Sequence, residues 1–221
     1  MAPPPRPSLK PAERARIAEI FERFEAAAID PRTELTYASP YELVVAVALS
    51  AQATDVSVNK ATDKLFKVAD TPQAMLALGE AGLKTFISSI GLFNMKAKNV
   101  IRMAEILIAE HGGEVPLDRE SLQALPGVGR KTASVVLNEL RIEPAIAVDT
   151  HVFRVSHRLG LATGKTPDKV EAELMAIVPE AALVRAHHWL ILHGRYVCVA
   201  RRPKCGDCPV ADLCPSRAAF A

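Results

Sequence analysis

Four residues near the end of the chain carry the plainest chemistry. All four cysteines, Cys198, Cys205, Cys208 and Cys214, fall within the last 24 of 221 residues, spaced Cys-x6-Cys-x2-Cys-x5-Cys. Disulfides are rare in a reducing compartment, so such clustering points to a metal centre. Zinc ribbons normally offer two Cys-x2-Cys pairs, whereas here one pair is flanked by two single cysteines. Iron–sulfur clusters also take four thiolates, although this spacing matches neither ferredoxin pattern. Spacing alone leaves zinc and cluster level.

A second constellation lies mid-chain, in Leu125-Pro126-Gly127-Val128-Gly129-Arg130-Lys131-Thr132. The two glycines permit positive φ and close backbone approach, and a helix is predicted from about Arg130. Free amides and the positive end of that helix would face a phosphate without reading base identity. A tight turn between helices is the plainer reading of the same residues. A nucleotide-binding P-loop fails, because it needs Gly, four residues, then Gly-Lys-Ser/Thr; here Ala124 and Arg130 stand where glycine and lysine belong. Lys131 falls in the first helical turn, where a cation is unfavourable. That setting favours the neutral amine needed to attack carbon. Asp149, within Ala147-Val148-Asp149-Thr150-His151-Val152, stands where the next helix would begin. It reads either as an N-cap or as the carboxylate partner of an amine.

The elements that position these residues are helices. Ile17, Ile20, Phe21 and Phe24 share one helical face. Ser39-Pro40 and Thr71-Pro72 each offer an N-cap followed by proline at the first helical position. Helices are predicted at about 41–51, 95–110, 119–125, 130–140, 150–159, 167–177 and 181–193. Aromatics make up only 5% of residues, and no alternating run is bounded by a hairpin turn. The fold class is therefore all-α. Five of the sixteen prolines fall in residues 1–11, which read as a disordered extension. The start has no apolar core of a signal peptide, and the apolar run Leu43 to Leu49 is far too short to span a bilayer. The expected location is the cytoplasm. Net charge is only +2, but from Arg185 onward six Arg or Lys face two Asp, a local basic patch suited to phosphate.

Taken together, LPGVGRKTA and VDTHVFRV, with Lys131 and Asp149 eighteen residues apart, resemble the catalytic core of the endonuclease III family of helix-hairpin-helix DNA glycosylases. The cysteine spacing is similar to that family's C-terminal 4Fe–4S loop, and the likeness runs over about residues 12–215. The resemblance implies two helical lobes: a six-helix barrel over 33–143 with the helix-hairpin-helix at about 119–140, and a lobe from 12–32 and 144–221 with the cluster loop at 198–214. It implies Lys131 as nucleophile, Asp149 as its carboxylate partner and the four cysteines as cluster ligands. Pro126, Gly127, Val128, Gly129 and Arg130 would grip the DNA backbone, helped by Arg201, Arg202 and Lys204 of the cluster loop, and His151 would contact the DNA or the sugar. Gln52 would fill the space left by an extruded nucleotide and Leu92 would wedge against the opposite strand.

The implied activity is removal of oxidised pyrimidines from double-stranded DNA, followed by strand cleavage 3′ to the abasic site through a lysine Schiff base, by a monomer without membrane attachment. Two rivals stand beside it: a monofunctional glycosylase of the same superfamily, and a non-enzymatic helix-hairpin-helix DNA-binding protein with a zinc site. Related adenine-mismatch glycosylases usually lack lysine at the position of Lys131, which favours the bifunctional reading.

Overall fold

The computed structural model describes residues 9–27 and 31–220. Among these residues ten α-helices run in order: α1 Pro11–Ala27, α2 Pro40–Ser50, α3 Asp55–Leu65, α4 Pro72–Ile87, α5 Phe93–His111, α6 Arg119–Ala124, α7 Arg130–Glu139, α8 Thr150–Arg158, α9 Pro167–Ile177 and α10 Leu183–Tyr196. No β-strand occurs among the described residues, so the fold is all-α as expected. The proline-rich extension falls mostly outside them, but Pro11 opens α1 and Leu9 packs against apolar residues.

The helix starts follow local chemistry. Ser39 accepts from the Glu42 amide at 3.1 Å while Glu42 Oε2 accepts from the Ala38 amide at 2.6 Å, so side chains satisfy two amide groups at the start of α2. The Thr71 and Thr166 side chains cap α4 and α9 by accepting from the Ala74 and Lys169 amides, each threonine followed by proline. Gly79 breaks α4 with φ +70° and ψ 170°, values that L side chains rarely adopt.

Two compact units result. One comprises Thr33–Glu143; the other joins the described residues up to Arg32 to those from Pro144 onward. The first holds α2 to α7, with α2 at its centre: Leu43, Val44, Val45, Ala46 and Leu49 are all fully buried. Helices α3, α5 and α7 pack on α2, while α4 packs on α3 and α5. In the second unit α10 packs on α1 and α8, and α9 on α8. Its core is built from Ile17, Ile20, Phe21 and Phe24 of α1 with Val152, Val155, Trp189 and Leu190. The predicted apolar face of α1 is thus the face it buries. Gly194 lets α10 lie close to α8, since a Cβ there would sit 2.9 Å from the Cβ of His151.

Candidate functional site

The hairpin over 125–129 is anchored from below. Leu125 and Val128 are 2% and 3% exposed and fix the turn to the core. The Val128 amide donates to the Leu125 carbonyl at 3.0 Å, closing the turn. Gly127 takes φ +82°, and a Cβ there would press on the Asn99 side chain at 3.3 Å. Gly129 departs from the sequence reading: its φ of −84° suits any residue. A side chain there would meet nothing within 4 Å, so the backbone lies open to an approaching ligand. No side chain caps α7 at Gly129. The amides of its first turn therefore lack the intrahelical acceptors available further along. Lys131 is exposed in that first turn.

Asp149 is an N-cap. Its Oδ1 accepts from the amides of both His151 and Val152 at 2.8 Å. The residue is half-buried, and Oδ2 has no hydrogen-bond partner among the described residues. One carboxylate oxygen thus holds α8 while the other stays available, so both sequence readings of Asp149 are compatible. Lys131 belongs to the first compact unit and Asp149 to the second.

Gln52 and Leu92 are exposed and share an unusual backbone, with φ of +54° and +60°. Left-handed backbone at a non-glycine residue is uncommon, more so for leucine, and such strain concentrates at functional positions. The two segments adjoin, because a Cβ added at Gly91 would lie 3.7 Å from the Gln52 carbonyl oxygen.

The four cysteines line one cavity, bordered by Arg158, His193, Lys204, Arg217 and Phe220. Burial pushes the Cys208 and Cys214 thiols up, and the neighbouring cysteines add to the shift. Binding iron must therefore displace those protons. The free Cys198, Cys205, Cys208 and Cys214 around this shared cavity supply the four thiolates that a 4Fe–4S group takes.

Sequence reasoning missed how this loop is held. Arg158 donates to the Val199 and Ala200 carbonyls, both at 2.8 Å, and its Nη1 lies 3.5 Å from Cys198 Sγ. Arg154 donates to the Cys198 carbonyl at 3.1 Å and the Gly194 carbonyl at 2.8 Å, and its Nη2 stands 3.3 Å from His151 Nδ1. One helix, capped by Asp149, thereby carries His151 and braces the first cysteine. From α1, Arg16 reaches the Leu213 carbonyl at 2.9 Å and Arg23 the Pro209 carbonyl at 3.1 Å. His193 Nε2 lies 3.7 Å from Cys208 Sγ, and burial lowers its imidazole to about 4. The only hint in the sequence was Arg154 and Arg158 four apart on one helix face. Arg201, Arg202 and Lys204 are exposed on the loop. His187, His188 and Trp189 are buried in α10, where they pack.

Comparison with known proteins gives the family. The family described as HhH-GPD superfamily base excision DNA repair protein matches residues 45–180, and the iron-sulfur binding domain of endonuclease III matches residues 198–214. The chain is 57% identical to endonuclease III of Escherichia coli K12 over 201 residues, 91% of this chain and 95% of that protein. Against endonuclease III of Haemophilus influenzae it is 59% identical over 196 residues, 89% of this chain and 93% of that protein. A solved structure of a trapped endonuclease III–DNA covalent intermediate superposes with a TM-score of 0.86 at 42% identity, covering 93% of this chain and 97% of that one. A thermostable thymine-DNA glycosylase shares the fold, with a TM-score of 0.80 at 23% identity over 94% of this chain and 98% of that one.

Proposed function

Because this chain belongs to the endonuclease III family of helix-hairpin-helix base-excision repair proteins, we propose that Lys131 and Asp149 carry its chemistry on oxidised pyrimidines in duplex DNA. The protein is a DNA glycosylase and abasic-site lyase, and it binds a 4Fe–4S cluster through Cys198, Cys205, Cys208 and Cys214. The observation that carries the residue assignment is an exposed lysine in the uncapped first turn of α7, directly after an open-backbone hairpin.

In this reading the amides of Gly127, Gly129 and Arg130 take the phosphate beside the lesion, and that grip presents the sugar of a flipped-out nucleotide to Lys131. The uncharged Lys131 amine attacks C1′; the bond from C1′ to the base breaks and the base leaves with the electron pair and takes up a proton. The sugar ring opens to a Schiff base on Nζ. Loss of a C2′ proton then expels the 3′ phosphate by β-elimination, and water returns the free amine. Asp149 stabilises positive charge developing on the sugar and accepts the proton that the amine loses. When bound, the cluster ties the loop 198–214 together, which holds Arg201, Arg202 and Lys204 ready for phosphates. Gln52 fills the vacated stack, Leu92 wedges the opposite strand, and His151 contacts the DNA or the sugar. The protein acts as a monomer.

Borohydride trapping tests the lysine. Wild type incubated with an abasic duplex is expected to yield a covalent adduct, and Lys131→Ala none while still binding DNA. An adduct that persists in the variant would assign the nucleophile elsewhere. Duplexes each carrying one oxidised or mismatched base, scored for excision and nicking, test the substrate class.

A further inference from the structure

Lys96 is the one buried lysine or arginine among the described residues, 6% exposed in the first turns of α5. Its Nζ donates to the Leu49 carbonyl at 2.8 Å. Leu49 lies in the last turn of α2, whose final carbonyls have no partner within the helix and whose end favours a cation. Nearby carbonyls are served otherwise: Ser50 Oγ donates to Val47 at 2.9 Å and the Ala53 amide to Ser50 at 3.0 Å. Two residues beyond Ser50 the chain turns at Gln52 into left-handed backbone. Lys96 stands in the first turn of α5, where its amide makes the helix's own bond to the carbonyl of the N-cap residue Leu92 at 3.1 Å.

From this we infer that Lys96 is a positioning residue that pins the Gln52 and Leu92 segments to one another, holding both side chains at the spacing that base extrusion requires. The inference rests on the roles proposed above for Gln52 and Leu92. A single residue is bonded to both segments, through its amine to the stretch leading into Gln52 and through its amide to Leu92. The Gln52 carbonyl oxygen, 3.7 Å from where a Cβ on Gly91 would stand, lies at the same junction. Packing alone does not call for an amine. Burying a cation against one carbonyl is costly, and burial lowers the Lys96 ammonium below its ordinary value. A methionine of similar length would fill the space without that cost. It would not supply a directional bond to the end of α2, and without that bond a left-handed Gln52 is free to relax.

The test is Lys96→Met in the holoenzyme, read in single-turnover assays on one duplex sequence carrying either thymine glycol or a preformed abasic site. Extruding a paired base needs the filler and wedge more than engaging a site with no base to unstack. The glycosylase rate is expected to fall ~10–100-fold, as a displacement near 1 Å can cause. Cleavage at the abasic site is expected to change far less, and the melting temperature to hold or rise. Fluorescence of 2-aminopurine placed opposite the lesion should drop on binding relative to wild type, reporting lost unstacking. Equal loss in both assays together with lower stability would show a merely structural lysine and overturn the inference, as would no loss in either. Gln52→Ala and Leu92→Ala separate the two levels. If they show the selective loss and Lys96→Met does not, only the pin fails. If neither shows it, the filler-and-wedge reading fails and the inference fails with it.

Discussion

Asp149 offers a test in which two substitutions separate folding from chemistry. Its Oδ1 accepts two amides at the start of α8, and α8 also carries the arginines that brace the cluster loop. Asp149→Ala removes the cap, at about 0.5–2 kcal/mol. Asp149→Asn keeps an oxygen in place, because asparagine caps as well as aspartate. It loses only the charge at the positive helix end, worth about 0.3–1 kcal/mol. For a chain of this size about 1 kcal/mol shifts the melting temperature by roughly 2–4 °C, so the alanine variant is expected to melt several degrees lower and the asparagine variant only slightly lower. Catalysis should not follow that order. If the carboxylate charge stabilises the transition state, both variants lose about 10²–10³-fold in base excision. Binding to abasic duplex should hold or tighten, since a negative charge is removed from a polyanion site. Single-turnover excision, fluorescence anisotropy and thermal unfolding measure the three quantities. An asparagine variant that excises at near wild-type rate refutes the catalytic assignment. One that loses excision, binding and stability in proportion refutes it equally and leaves Asp149 as a cap alone.

Other consequences follow from the loop and the surface. Arg201→Ala is expected to weaken binding to all DNA sequences alike and to reduce the slope of log affinity against log salt by about 1; sequence-selective loss or an unchanged slope would remove it from the phosphate contacts. Cys205→Ser should abolish the brown visible absorbance and lower the melting temperature, and a colourless wild type holding stoichiometric zinc would overturn the cluster. Glu173 accepts from the amides of Thr163 and Gly164 at 2.7 and 3.0 Å, and the first of these bonds is the main cause holding its carboxyl below the usual 4.5. The folded value is the lower one, so its contribution is complete above about pH 4.5 and is lost as pH falls through the folded value. Unfolding against pH should therefore be less steep in that acid range for Glu173→Gln than for wild type; an identical slope would show that the two amide bonds do not discriminate the charged form.

Much of this protein was legible before any coordinates. Ser39-Pro40, Thr71-Pro72 and Asp149 announce helix starts because a cap is satisfied within three residues of itself. The face of α1 could be read because burial there follows the helical repeat. The hairpin residues and the cysteine spacing were also readable, since their chemistry depends on short separations along the chain. Gly129 shows the limit of that reading: its type was noted, but its ordinary φ and open surroundings belong to the fold.

What only the tertiary structure decided involves partners far apart in sequence. Lys96 reads as one more surface cation until α2 ends beside it, 47 residues away. Nothing local in Arg154 or Arg158 beyond their spacing signals that α8 braces the cysteine loop some 40 residues on. Gln52 and Leu92 have no local reason to be left-handed, and their backbone is held there by what surrounds them. Caps and periodic faces are set by neighbours the chain supplies at once. A buried amine, a bridging guanidinium or a strained φ is stable only once distant segments have been brought into place, and no local pattern records that cost.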